Sequence, residues 1–434
     1  MKLVRTFCMC IVLLTAISLQ GWSQSAPAEA FDNVIIHTAD GQVIKNGTIV
    51  WRDGLIRAVG EDVAIPFDAY VHDGGDSLHV YPGFIDGLAF WGSPDDNGNR
   101  GRPEEPGNPS YERAGIQPHL HPGNEMKAND KALKEATKHG FTTAALGLKG
   151  QMLPGQVDLF FINGEQTEDQ LLEEGIGILA QFEEANGTAY PSTTMALMVQ
   201  FRQLFYDAQA QKEQQEYYAS VSSDYPPPRK EKVLEALYPV MQKEQPFYFV
   251  ADGKENIERL FWLQDELDFK AVLVSGKEAY KKAAELNERN IPVLATVDLP
   301  DKPEWLKEDY EETEEITEER EAFREKQEAA YREQVQNIKT LQKAGVRVGY
   351  ASNGLKLKDI QKNLTILKED GGLNNSQILK LITQSTADIL DYGQRLGDLK
   401  EGRVASFTVF DKPFLEEEAK SVYSIINGKL TEVE

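Results

Sequence analysis

Cysteine is nearly absent from this chain: there are two, Cys8 and Cys10, both within the first ten residues. Beyond that segment, thiol nucleophiles and zinc–thiolate centres are excluded, because the reactive atom is missing. Histidine is scarce and one-sided. All six, at positions 37, 72, 79, 119, 121 and 139, precede residue 140. No later strand can therefore supply an imidazole as base or ligand. There is no Gly-x-Ser-x-Gly elbow, so a serine hydrolase of the usual kind is not indicated. The glycine-rich stretch GLKGQMLPGQ (147–156) has neither P-loop nor dinucleotide-binding spacing and reads as a turn. Positive charge is also in deficit, with 46 Lys and Arg against 70 Asp and Glu and a net charge of −24. Such a surface repels phosphate backbones and anionic lipid, which argues against nucleic acid as a partner.

What is present is a globular composition, 41% hydrophobic and 27% charged, which does not describe a disordered chain. The first 25 residues stand apart. Lys2 and Arg5 precede an apolar stretch, Ile11 to Leu19, and a patch of small and polar residues follows from Gly21 to Ala26. That order is the pattern of a secretory signal, and the stretch is too short for a good membrane span. Export to the periplasm or the exterior is expected, with cleavage after Ser23 or Ser25 or within Ala28-Glu29-Ala30. The mature chain would carry −26, have no cysteine and keep no membrane attachment. The acidic run 308–333 reads as a solvated helix with Ala, Phe and Tyr at its inner positions.

Residues 31–80 read as short strands joined by Asp40-Gly41, Asn46-Gly47 and Asp53-Gly54, dipeptides that accept positive φ. The C-terminus has the same character, with Asn427-Gly428 as a turn. Between them, apolar strands such as FTTAALGL, IGILAQF, PFYFVA, KAVLVS, IPVLATV and VRVGYAS alternate with helical stretches, which argues for parallel β/α architecture. The expectation is an α/β fold: a TIM-like (β/α)₈ barrel over 83–394, with a doubly wound sheet as runner-up. A small composite β-sandwich would be built from 26–82 plus 395–434, after a signal at 1–25. The prolines of SSDYPPPRK (222–230) mark a surface loop. The aromatics of RQLFYDAQAQKEQQEYY (202–218) recur near helical spacing and read as core or interface packing.

IKNGTIVWRDGLIRAVGEDVAIP (44–66) followed by VYPGFIDG (80–87) resembles the N-terminal signature of the amidohydrolase superfamily. LKLITQSTADILDYGQRLGDLKEGRVASFTVFDKPF (379–414) is similar to its closing helix and return strand, and residues 234–297 resemble the fifth-to-seventh strand region of the imidazolonepropionase-like branch. The resemblance implies hydrolysis of C–N bonds other than peptide bonds by water bound to zinc or a similar divalent metal. It also implies a ligand set: His-x-His on the first strand, histidines ending the fifth and sixth, and an aspartate ending the eighth.

Carried over residue by residue, that set is missing. Leu88 and Phe90 stand at the His-x-His positions, and Val250, Ala251 or Asp252 at the fifth strand. Ser275 stands at the sixth and Asn353 at the eighth. No metal site and no cofactor are therefore expected, because the donor atoms are absent. Asp252 is a candidate for binding a substrate amine or acting as a lone acid, against the bland reading of a hydrogen-bonded loop aspartate. The one His-x-His, His119 and His121, lies in the proline-flanked QPHLHPGNE (117–125), away from the family position, and reads as loop surface. Asp86, just before the former ligands, is expected to be structural. Three functions follow. The first is an amidohydrolase-like pseudoenzyme that binds, or that partners an active relative in a homo- or hetero-oligomer. The second is an atypical C–N hydrolase using Asp252 with Lys149 or Glu125. The third is a small-molecule binding protein whose apolar mouth is lined by Leu88, Phe90 and Trp91.

Overall fold

The computed structural model describes residues 26–95, 101–126, 131–162, 170–221, 226–307, 310–311 and 317–433. The signal-like segment with Cys8 and Cys10, and residues 222–225 of the proline loop, lie outside the described residues. Among the described residues no helix is long and apolar enough to cross a membrane.

Strands from both ends of the chain share one sheet. β1 (Glu29–His37), β2 (Val43–Arg52), β3 (Leu55–Gly60), β4 (Tyr70–Asp73) and β5 (His79–Pro82) join β14 (Phe407–Phe410), β15 (Ser421–Ile426) and β16 (Lys429–Glu432). The order is β16-β15-β14-β5-β1-β2-β3, with β4 added on β1. Phe31, Trp51 and Phe407 pack together at its centre, with the Trp51 and Phe407 rings edge to face at 5.2 Å. The turn chemistry expected at Asp53-Gly54 and Asn427-Gly428 is present, with φ of 54° and 76°, and of 51° and 82°. Asn46-Gly47 instead sits inside β2, where the pairing with β1 slips register.

The second sheet runs β13-β12-β11-β10-β9-β8-β7-β6. Its members are β6 (Phe84–Ala89), β7 (Phe141–Leu146), β8 (Gly155–Phe161), β9 (Leu171–Gln181), β10 (Phe247–Ala251), β11 (Ala271–Ser275), β12 (Val293–Ala295) and β13 (Val348–Tyr350). The expectation of eight parallel strands closed into a barrel is corrected in two respects. β8 is antiparallel to both neighbours, because the chain turns back through 147–154 without a helix. No ladder joins the outer strands β6 and β13. They meet through two single bonds: Ser352 N donates to Asp86 Oδ1 (2.9 Å) and Asn353 N donates to Leu88 O (2.9 Å).

One apolar run, HVYPGFIDGLA, serves both sheets. β5 ends at Pro82 and β6 begins at Phe84, with Gly83 between them. A Cβ on Gly83 would fall 2.0 Å from Thr142 Oγ1, so only glycine lets the chain pass here. Gly87 is similarly confined: a Cβ would meet Leu294 Cδ2 at 2.5 Å and Tyr350 O at 2.7 Å. Gly87→Ala is expected to cost about 2–3 kcal/mol by overpacking, read as a lower urea midpoint at unchanged m.

Helices cover one face of this sheet. They include α1 (Lys131–Lys138), α2 (Thr194–Ser220), α3 (Lys254–Leu267), α4 (Ala283–Glu288), α5 (Glu318–Val335), α6 (Asn337–Lys343) and α7 (Leu357–Glu369). Their apolar sides, such as Leu204, Leu260, Leu286 and Leu341, pack on Phe247, Phe249, Leu273 and Val293. Apart from residues 310–311, the described part of the acidic run is α5, capped by the Thr317 hydroxyl. Only Tyr331 of its expected inner residues is buried, its hydroxyl donating to Asp370 Oδ2 (2.6 Å), while Phe323 is exposed. In the first half of the helix Arg324 packs on the Trp305 ring and donates to the Tyr310 hydroxyl (2.8 Å).

Candidate functional site

Alternation along the parallel strands decides what faces the concave interior. Tyr248, Val250, Val272, Val274 and Leu294 share a core with Leu88 and Leu179, whereas Phe247, Phe249, Ala251, Leu273 and Val293 pack toward the helices. This settles the fifth-strand register left open by the sequence. Val250 is the inward side chain, Ala251 faces the helices and Asp252 lies past the strand end.

The mouth at the strand C-termini is accordingly apolar. Leu88 is fully buried and Phe90 is half-buried over the same cluster. Both close on Gly147, where a Cβ would meet Leu88 Cδ1 and Leu179 Cδ2 at 3.2 Å and Phe90 Cε1 at 3.5 Å. Ser275 is buried at φ 73° with its hydroxyl unpaired, and Asn353, at φ 46°, is held through its backbone to Leu88. Trp91 does not line this mouth. It is buried on the helix side, edge-on to Phe141 at 5.4 Å.

A divalent metal does not fit these residues. Leu88, Phe90 and Val250 offer no lone pair, and Ser275 and Asn353 offer only neutral oxygen, poor ligands for a zinc-like ion. Asp252 is half exposed and turned to Lys277, whose Nζ lies 3.9 Å from it and 2.6 Å from Asp298. Among the described residues no group of three or more His, Cys, Asp or Glu could hold an ion.

Asp86 is more unusual than its sequence position suggested. It is fully buried, and its Oδ1 accepts from Leu88 N (3.1 Å) and Ser352 N (2.9 Å), while Oδ2 has no partner. Burial pushes its carboxyl up to about 7, against the opposing pull of the two amides. The residue fastens β6 to β13 directly beneath the mouth.

Beside the mouth, the loops after β6 and β7 line an open pocket of about 200 Å³ with Ser93, Asp95, Gln117, Glu125, Lys149 and Gln151, among others. Lys149 Nζ pairs with Asp95 Oδ1 at 2.8 Å. Lys149 and Glu125 thus share one cavity, but Asp252 is not among its lining residues, so neither of the two expected partners is placed with Asp252 there. The cavity carries no sequence signature, because its wall comes from three separate segments, 93–95, 115–125 and 148–154, with no common motif.

His119 and His121 do not form a paired ligand site. His121 Nδ1 bonds Asp158 Oδ1 (3.1 Å), and Asp158 also accepts from Gly175 N (2.7 Å) and Gly123 N (3.3 Å). The imidazole serves to dock segment 117–126 on β8. Burial holds the His119 ring below the ordinary histidine range.

No protein-family model matches the chain, and no curated protein does. Solved structures do. An amidohydrolase from Thermotoga maritima aligns with TM-score 0.75 at 19% identity, over 94% of this chain and 100% of that one. The chain has the amidohydrolase fold. A prolidase complexed with N-methylphosphonate-L-proline aligns at TM-score 0.55 and 16% identity, over 94% of this chain and 100% of the other. An ochratoxinase from A. niger aligns at 0.52 and 15%, over 94% and 96%. The amidohydrolase-fold framework therefore spans nearly the whole chain, including the sheet shared by its two ends.

Proposed function

We propose that this is an exported amidohydrolase-superfamily protein, of the imidazolonepropionase-like branch, that acts by binding and without metal-dependent hydrolysis. The observation that carries the reading is the mouth itself: Leu88, Phe90 and Val250 face inward where the family resemblance calls for imidazoles. The cavity holding Lys149 and Glu125 beside it supports a small polar or zwitterionic ligand at this face, since both signs of charge are available. For export, β1 begins at Glu29 with Ala28 and Ala30 buried, so removal after Ser23 or Ser25 leaves the strand whole.

The test is metal content after dialysis of the purified protein against trace zinc. Less than about a tenth of an equivalent is expected, because a site with several protein ligands would fill under these conditions. One or two equivalents would overturn the reading and revive an atypical hydrolase. Thermal shift against small amides, peptides and sugars tests the binding half. A true ligand at about 100 times its Kd adds about 2.7 kcal/mol, and Lys149→Ala should abolish the shift.

A further inference from the structure

An open crevice of about 650 Å³ separates the small sheet from the helical layer of the larger one. One wall comes from the 38–42 turn between β1 and β2, Val43 of β2, Tyr81 of β5 and residues 413–415 after β14. The other comes from Lys368 near the end of α7 and from residues 373–379. The floor is apolar and buried: Tyr81, Leu373, Leu379, Phe414 and Leu415. Both walls are fixed by contacts within the chain. His37 Nε2 and His79 Nδ1 share a hydrogen bond (2.9 Å), the His37 ring stacks on Tyr81 at 4.3 Å, and Phe414 stands edge-on to Tyr81 at 5.1 Å. Gln361 Nε2 donates to Phe414 O (3.2 Å) and to Glu416 O (2.7 Å). On the facing wall, Asn374 and Gln377 cap the helix Asn375–Lys380 reciprocally. A preformed, mostly apolar pocket of about 300–1,000 Å³ at a domain boundary, with few polar groups, is the usual form of a small-molecule site.

Charge selects the ligand. The chain has 70 Asp and Glu against 46 Lys and Arg, yet no carboxylate lines this crevice, although Asp40, Glu369 and Glu416 adjoin its lining residues in sequence. Its one lysine or arginine is Lys368, which is exposed and has no hydrogen bond or ion pair among the described residues. Lys149, in the pocket beside the mouth, is by contrast already held by Asp95. We infer that the crevice binds an amphipathic carboxylate, with its apolar tail against Leu379 and Phe414 and its head at Lys368. The tail gains by leaving water, and the head meets an ammonium that no carboxylate of the chain occupies. A cationic amphiphile would bring the same tail to a like charge. The inference is independent of the mouth and of the ligand taken there.

Isothermal titration of the purified protein with decanoate, kept below its micelle-forming concentration, tests it. Saturation at one equivalent per chain is expected. Decyltrimethylammonium, the same tail with the opposite charge, should bind at least tenfold more weakly. Lys368→Glu and Val43→Glu should each raise the decanoate Kd at least tenfold, whereas Lys368→Arg should keep it within a few-fold. Lys368 and Val43 are both exposed, and unchanged circular dichroism melting confirms folding. Lys149→Ala should leave decanoate binding unaltered, which separates this site from the pocket beside the mouth. Absence of saturable binding overturns the inference, as does binding of many equivalents or equal binding of the cationic amphiphile. So does a Kd that neither Lys368→Glu nor Val43→Glu changes. Loss of binding in Lys149→Ala would place the carboxylate at the other pocket and overturn it equally.

Discussion

Asp158→Ala is expected to cost about 3–5 kcal/mol, read as a lower midpoint in urea or guanidinium at constant m. Asp158 is fully buried on β8 and accepts from His121 Nδ1, Gly123 N and Gly175 N. Those donors come from two separate segments. Alanine removes the acceptor and leaves two backbone N–H groups and an imidazole facing a void, each with its desolvation cost uncompensated. Asp158→Asn keeps the volume and one acceptor oxygen and should cost roughly half as much. His121→Ala should cost least, about 1 kcal/mol, because its ring is part-exposed and water can replace it at the carboxylate. A loss below about 1 kcal/mol for Asp158→Ala would show that segment 117–126 is held by other contacts.

Asp86→Asn is expected to be more stable than the wild type at pH 8, by a margin that shrinks steadily as pH falls toward 4. The folded carboxyl sits at about 7, above its ordinary 3.8. Between those values the folded protein keeps a proton that the unfolded chain releases, so stability falls as pH rises from about 4 to about 7. Above that, the whole penalty is present, on the order of 4 kcal/mol. Asparagine keeps an oxygen for the Leu88 and Ser352 amides and never ionises, so this limb disappears. A second group acts in the opposite direction. Burial, aided by the neighbouring His79, lowers His37 from 6.5 to about 4. The unfolded chain takes up that proton first, so stability is lost as pH falls through 6.5 toward 4. The two effects nearly cancel between about pH 4 and 6.5, so the wild type should be almost flat with a slight decline toward pH 8, and the variant should climb and then stay flat. Chemical denaturation from pH 4.5 to 8.5 reads both; parallel curves would show that Asp86 does not carry the alkaline limb.

Legibility of the fold differed from residue to residue for reasons that can be stated. Asp53-Gly54 and Asn427-Gly428 were readable because a positive-φ turn is a local property of two residues. The parallel strands β9 to β13 were readable because each is a short apolar run followed by a helix. β8 was not, since GQVDLFF carries no mark of direction and the missing helix before it lies in a loop of ordinary turn composition. The break at Gly83 was hidden inside one continuous apolar run, and its necessity comes from Thr142, 59 residues away.

The candidate site divides the same way. That no imidazole could stand at the fifth or sixth strand was determined by composition alone, because all six histidines precede residue 140 and no register can move them. Which side chains replace them was decided only by the folded sheet. Val250 faces inward and Ala251 outward because of pleat and pairing, and Trp91 turned to the helices although it neighbours Phe90. Asp86 acquired its raised carboxyl from burial between β6 and β13, against the pull of an amide 266 residues away, and Asp158 its role from His121 and Gly175. Chain order records which atoms exist and which turns they allow. Burial and charge environment belong to neighbours that only tertiary packing brings within a few ångströms.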